Sequence, residues 1–175
     1  MSVDTVAGRA ANANHAVIED FEQGRVPGGF HHADHVRVAF AYVSEFSLPE
    51  AMTRFSAALR RFARSRGKPG LYHETITWAY LFLIAERLAR GEKAQAWEEF
   101  AERNGDLLVW RGGVLERFYS KEKLESELAR RQFILPDRGF AEDEGRPERQ
   151  NPHPGVAKGA NQGWGLFGGY ERLME

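Results

Sequence analysis

Apolar side chains in this sequence recur three and four residues apart, in runs that end at glycine or proline. This spacing places the apolar residues on one face of an α-helix. No segment of useful length alternates between apolar and polar residues, the pattern of a half-buried β-strand. The sequence therefore predicts an all-α fold, a single-domain helical bundle of about five to six helices.

Caps and helix breakers set the predicted boundaries. The predicted helices cover residues 10–23, 33–46, 47–66, 72–89, 93–103 and 120–132. Ser47 and Glu50 have the spacing of a capping box, which predicts the start of the third helix. The fourth helix is the most apolar and is expected at the centre of the fold. Residues 106–119 are interpreted as one helix interrupted at Gly112 and Gly113.

Glycine and proline are concentrated after Leu135, where eight of the 18 glycines and four of the seven prolines occur. Such a composition does not support a long helix. The sequence therefore predicts a helical domain over 1–135 and an irregular or disordered tail over 136–175. Trp164, Leu166, Phe167 and Tyr170 could dock this tail on the domain or on a partner.

Composition excludes several classes of protein. The 24 basic and 25 acidic residues balance to a net charge of -1, so we expect no nucleic-acid partner. The absence of cysteine excludes disulfide frameworks and thiolate chemistry, and favours a cytoplasmic location. The longest apolar stretch, residues 78–85, is shorter than the roughly twenty residues that span a bilayer, so we expect no membrane association. The N-terminal residues do not have the pattern of a secretion signal.

The six histidines are unevenly distributed, and most of them open a predicted buried helix. His32 and His35 are three residues apart and share a helix face. His73 begins the fourth helix, at the head of its apolar stripe. These imidazoles could meet at one end of the bundle.

One hypothesis is a divalent metal site holding zinc, iron or manganese. His32, His35 and His73 would be the ligands, because neutral imidazoles suit these ions. Glu74 would be a fourth ligand or a catalytic acid and base, and the protein would be a metal-dependent hydrolase or oxygenase acting on a small molecule. Arg37 would orient an anionic substrate. The pattern differs from the HExxH metalloprotease motif.

Two alternatives stay open beside the metal. The positive ends of two helices favour an anion, so the histidines, Arg37 and the amides of 72–74 could bind a carboxylate or phosphate. A histidine there would have a lowered pKa and could be a general base. Alternatively the histidines are structural, in a noncatalytic small-molecule-binding or protein-interaction module.

Other polar and aromatic residues are secondary candidates. The residues that could line a pocket on the fourth helix are Tyr72, Thr77, Trp78 and Tyr80. The arginines near the end of the third helix are Arg60, Arg61, Arg64 and Arg66. This cluster is interpreted as a solvated helix end, with a phosphate patch as the alternative.

Three segments carry a resemblance to known sequences. They are FHHADHVR at 30–37, YHETITWA at 72–79, and Tyr119-Ser120 followed by FILPD at 133–137. Together they resemble a family of small bacterial helical proteins with no assigned activity. The resemblance covers about residues 9–138 and implies one domain and a bacterial cytosolic setting, but no reaction.

Overall fold

The computed structural model describes residues 3–26, 30–91 and 96–138, with side chains from residue 8 onward. The regular elements within these ranges are all helical, which confirms the predicted all-α class. The α-helices are α1 (Val3–Glu22), α2 (His32–Glu45), α3 (Leu48–Ser65), α4 (Glu74–Arg90), α5 (Trp97–Arg103), α6 (Lys121–Glu125) and α7 (Glu127–Arg131). Short 3₁₀ turns cover Pro69–Leu71, Gly105–Leu107 and Val114–Arg117.

The core forms where α2 packs against α1, α3 and α4. The apolar residues of α2 lie on both sides of the helix, and all five residues from 38 to 42 are buried. The largest fully buried side chains are Tyr42, Phe40, Phe100, Leu59, Ile76, Leu81, Ile84 and Leu107. Each such side chain contributes about 1.5–3 kcal/mol through its removal from water.

Helix α4 packs against α2, α3 and α7, as its apolar sequence predicted. Ile76, Leu81 and Ile84 lie in the core, whereas Phe82 is 42% exposed. The ring of Phe133 covers part of this outer side, 5.7 Å from both the Trp78 and the Phe82 ring centres. None of the helices in the described ranges has the length and apolar character needed to cross a membrane.

The start of α3 lies where the capping-box pattern predicted it, but the predicted hydrogen bonds are wrong. The Ser47 side chain makes no capping hydrogen bond. Glu50 instead pairs with Arg54, one turn further along, at 2.8 Å. By contrast, Ser120 and Ser126 each accept a bond from the amide three residues on, at 3.2 and 3.1 Å. Proline in the first turn and packing therefore define the start of α3.

The predicted helix over 120–132 is two helices, because Ser126 has an extended backbone, with ψ of 143°, and caps α7 with its hydroxyl. The predicted broken helix over 106–119 is wrong as well: two 3₁₀ turns lie there. A methyl group on Gly113 would lie 2.2 Å from the carbonyl oxygen of Val109, so the chain can turn this tightly only at glycine.

Two predicted boundaries lie near the ends of the described ranges. Helix α5 begins at Trp97, and its predicted start at Lys93 lies outside the described residues. Past the predicted boundary at 135, the Ser120 amide donates to the Asp137 carboxylate at 2.8 Å. The Arg138 amide donates to the Phe118 carbonyl at 3.0 Å. The rest of the predicted tail, from 139, lies outside the described residues.

Candidate functional site

His32, the first residue of α2, is hydrogen-bonded to a distant backbone carbonyl. Its Nε2 lies 2.8 Å from the Leu107 oxygen. Because a carbonyl oxygen can only accept, Nε2 carries the proton and Nδ1 is the acceptor nitrogen. The ring packs beside Tyr80 and Trp110, at 5.0 and 5.2 Å between ring centres. Burial lowers the pKa of His32, so the imidazole is neutral at pH 7.

His35 lies one turn further along α2 and is also buried. Burial, and to a smaller extent the neighbouring His32, lower the pKa of His35 to about 3. The two histidines line one cavity together with Val36, Phe55, Leu59, Ile76, Thr77, Tyr80 and Trp110. Its volume of about 20 Å³ holds a single water molecule and excludes an organic substrate.

His73 caps α4, and both of its ring nitrogens are hydrogen-bonded. Its Nδ1 accepts from the Ile76 amide at 3.3 Å, and its Nε2 donates to the Leu124 carbonyl at 2.8 Å. Burial lowers the pKa of His73 to about 4. Each nitrogen therefore has the proton state that its partner requires, which is the pattern of a structural histidine.

The other two predicted site residues point elsewhere. The Arg37 guanidinium donates to the Asn14 side chain at 2.9 Å and lies over the rings of Phe40 and Trp97. Arg37 is thus outside the set of residues that line the histidine cavity. Glu74 forms an ion pair with Arg60.

Of the five residues predicted to form the site, the structure brings together only His32 and His35. His73, Glu74 and Arg37 each have other partners. In the described part of the chain, no three His, Asp or Glu residues form a group that could hold a metal. The proposed ligands therefore do not fit one metal site in this conformation, and metal binding stays a prediction.

The secondary candidates are also divided. Thr77 and Tyr80 line the histidine cavity. Trp78 donates from Nε1 to the Ser56 hydroxyl at 3.2 Å. Tyr72 lines a different and larger space, a cleft between α3 and α7.

This cleft, termed here the arginine cleft, has a volume of about 320 Å³. Four structural elements form its walls: α3, the 3₁₀ turn that follows, the start of α4, and α7. The lining residues are Arg60, Arg64, Pro69, Gly70, Tyr72, Glu74, Arg130 and Arg131. Half of them are arginines, and they come from two helices that are far apart in sequence.

Arg60 is held on the α3 wall by two contacts. Its guanidinium pairs with the Glu74 carboxylate and lies 4.3 Å from the centre of the Tyr72 ring. The Glu74 side chain is only 10% exposed, whereas that of Arg60 is 43% exposed. Burial raises the pKa of the Tyr72 hydroxyl, which stays protonated at neutral pH. Arg60 therefore has a defined position although its side chain is only partly buried.

The α7 wall is fixed by a contact across the cleft. Arg130 donates from Nη1 to the Gly70 carbonyl at 3.2 Å. Arg131 lies 3.4 Å from Glu127, a pair in which both side chains are largely exposed. Such exposed pairs contribute little energy and exchange readily with another anion.

Arg64 completes the group. Within the described ranges it has no carboxylate at ion-pair distance. Of the other three arginines, Arg60 pairs with Glu74, and Arg130 and Arg131 pair with Glu127, so the four guanidiniums have two carboxylate partners. Four guanidiniums against two carboxylates leave the cleft with an excess of two positive charges.

The sequence predicted an arginine cluster at the end of α3, but only Arg60 and Arg64 of that cluster line the cleft. Arg61 lies near the Tyr42 hydroxyl, and Arg66 packs over the Phe62 ring at 5.1 Å, so neither lines the cleft. The arginines of α7 take their place. No spacing rule links residues 60 and 130, and the one signal in the sequence was that α3 and α7 both end in arginines.

Comparisons with family models, with curated proteins and with solved structures find no match to this chain. The geometry of the arginine cleft and of the histidine cavity is therefore the basis on which a function can be inferred.

Proposed function

We propose that this chain is a noncatalytic module that binds a small organic anion in the arginine cleft. The observation that carries the proposal is that four arginines, from α3 and α7, line one cleft of about 320 Å³. This volume is at the lower end of the range for small-molecule sites. An excess of two positive charges favours a negatively charged occupant.

Preorganisation supports binding at this position. Arginine is suited to oxyanions because its planar fork presents several N–H donors at once. Arg60 is held by Glu74 and Tyr72, and Arg130 by the Gly70 carbonyl, before any ligand arrives. Side chains already fixed lose less conformational entropy on binding, which leaves more of the interaction energy for affinity.

The chemistry of the lining supports binding rather than catalysis. The group there best able to accept a proton is Glu74, and its carboxylate is engaged with Arg60. His32 and His73 donate to backbone carbonyls elsewhere in the fold. In this proposal the histidines are structural, and Arg37 stabilises the contact of α2 with α1 and Trp97.

The test is calorimetric titration of the full chain with a panel of small anions at constant ionic strength: sulfate, inorganic phosphate, phenyl phosphate and benzoate. We expect at least one of them to bind and Arg64→Ala to weaken it at least tenfold, because one strong charge-assisted contact is lost. Arg103→Ala is the matched control, since Arg103 is an exposed arginine on α5 that pairs with Glu99.

Unchanged affinity in Arg64→Ala, or an equal loss in Arg103→Ala, would contradict the proposal. Arg131→Ala gives an independent check from the opposite wall. Because Arg64 and Arg131 are exposed, both variants are expected to fold, which circular dichroism would verify.

A further inference from the structure

Resting on the proposed function, we infer that the ligand is a phosphate monoester of a small molecule, bound as its dianion, in preference to a monocarboxylate. Charge is the first argument. The arginine cleft has two more guanidiniums than carboxylates. A phosphate monoester has a charge of about -1.5 to -2 at pH 7, which neutralises this excess, whereas a carboxylate has only a single charge.

Shape is the second argument. Arginines line the cleft from two sides, Arg60 and Arg64 on α3 and Arg130 and Arg131 on α7. A tetrahedral phosphate group presents three terminal oxygens in different directions, so it can accept from both walls at once. The two oxygens of a carboxylate lie in one plane and match a single arginine fork.

Volume is the third argument. The phosphate group alone is far smaller than a space of about 320 Å³. Pro69, Gly70 and the ring of Tyr72 provide the less polar part of the lining, where an organic group would lie. An ester therefore uses more of the cleft than inorganic phosphate does.

The test compares four probes on the full chain by calorimetry at pH 7.5, at constant ionic strength: phenyl phosphate, inorganic phosphate, sulfate and benzoate. We expect phenyl phosphate to bind at least tenfold more tightly than benzoate and several-fold more tightly than inorganic phosphate. Arg64→Ala should weaken phenyl phosphate at least tenfold, with Arg103→Ala unchanged.

A second arm repeats the titrations at pH 5.5, with circular dichroism to verify that the chain is folded. The second pKa of a phosphate monoester is about 6, so affinity should fall about fourfold if the dianion is the bound form. Sulfate stays doubly charged and is the control for titration of the protein.

The charged and titratable groups that line the cleft are Arg60, Arg64, Tyr72, Glu74, Arg130 and Arg131. Glu127 pairs with the last two, and His73 lies at the start of α4. Burial keeps Tyr72 protonated, and the pKa of His73 is about 4, so neither changes charge between pH 7.5 and 5.5. A change in the charge of Glu74 or Glu127 would alter the binding of sulfate as well as that of phenyl phosphate.

The outcomes separate the two proposals. Benzoate binding as tightly as phenyl phosphate, with both dependent on Arg64, would overturn the phosphate inference and leave the anion module standing. An equal fall for sulfate and phenyl phosphate at pH 5.5 would overturn selection of the dianion. If inorganic phosphate binds as tightly as phenyl phosphate, the inference that the cleft holds an organic group is wrong. If no probe depends on Arg64, both proposals fail.

Discussion

His73 donates a hydrogen bond to the carbonyl oxygen of Leu124 at 2.8 Å, a contact between residues 51 positions apart. His32 makes the same kind of bond to Leu107, 75 positions away. Both histidines stand at the start of a long helix, and both acceptors lie in the segment of short helices and turns that follows α5, Leu107 in a 3₁₀ turn and Leu124 in α6. The two imidazoles therefore attach the short helices and turns of this segment to α2 and α4.

Replacing His73 should destabilise the protein. His73→Ala removes the cap of α4 and leaves the Leu124 carbonyl, at a buried position, without its donor. A lost cap costs about 1 kcal/mol. An unsatisfied buried group adds about 1–3 kcal/mol. We expect a loss of about 2–4 kcal/mol in the free energy of unfolding, measured by urea denaturation.

His73→Asn separates the two contributions, since asparagine can cap the helix but is too short to reach Leu124. It should recover about 1 kcal/mol of the loss. His15→Ala, at an exposed position of α1, is the control and should change stability by less than about 0.5 kcal/mol. If His73→Ala has the same free energy of unfolding as the wild type, the hydrogen bond from His73 to Leu124 does not stabilise the fold.

Stability should fall as the solution is acidified below pH 6.5. Burial lowers the pKa of all three histidines at the start of α2 and α4: that of His32 falls below its usual value, that of His35 to about 3, and that of His73 to about 4. A histidine in the unfolded chain titrates near 6.5. Between these limits the unfolded chain binds more protons than the folded chain, which favours unfolding. Each histidine contributes a slope of up to about 1.4 kcal/mol per pH unit.

The measurement is urea denaturation at pH 7.0 and pH 5.0, with an expected loss of at least about 2 kcal/mol. His73→Asn should have a smaller pH dependence than the wild type, because one titrating group is absent. Equal unfolding free energies at the two pH values would mean that the histidines are accessible to protons in the folded state.

Gly113→Ala should be strongly destabilising. The added methyl group would lie 2.2 Å from the Val109 oxygen and 3.0 Å from the Trp110 oxygen, and both contacts are with backbone atoms. Forced overpacking of this kind costs about 1–3 kcal/mol. Gly105→Ala is the matched control, because a methyl group added there would have nothing within 4 Å. Thermal denaturation of the pair checks the prediction, and equal melting temperatures would contradict it.

Asp106→Asn should cost about 1–2 kcal/mol. Arg87 binds Asp106 with two hydrogen bonds, at 2.6 and 2.7 Å, and the same Arg87 lowers the pKa of that carboxyl. The exposed pair of Glu86 and Arg90 is the comparison, and Glu86→Gln should change stability by less than about 0.5 kcal/mol. If urea denaturation shows a larger loss in the free energy of unfolding for Glu86→Gln than for Asp106→Asn, the structural role of the bidentate pair is refuted.

The predicted metal site is tested by the metal content of the protein. Mass spectrometry measures this content on untagged protein purified without chelator. Because both nitrogens of His73 are engaged, we expect less than about a tenth of an equivalent of zinc, iron or manganese. Near-stoichiometric metal that disappears in a His32→Ala, His35→Ala double variant would instead establish a metal site at the histidine cavity.

Local patterns predicted the helices well, because helical spacing and breakers act over a few residues. They predicted the buried face of α2 and the shared side of His32 and His35. They failed at Ser126, where a serine with ordinary helical neighbours caps a new helix. Competition between a side-chain cap and helix continuation is decided by packing, which local sequence does not contain.

The site was harder to predict for the same reason. The Leu107 and Leu124 acceptors of the two histidines are backbone atoms, and the identity of a residue does not reveal a backbone contact across the fold. Burial then keeps the His73 imidazole neutral. Likewise Arg60 and Arg130 line the same cleft because α3 and α7 both pack against α4.

The bond from Arg130 to the Gly70 carbonyl joins walls that are 60 residues apart in sequence. The arginine cleft therefore comes into being only after the last described helix has docked. An anion that binds there would bind only the folded helical bundle and would shift the folding equilibrium toward it. Occupancy of the cleft would thus report that α7 has docked on α4, because the arginines of α7 reach the cleft only in the folded bundle.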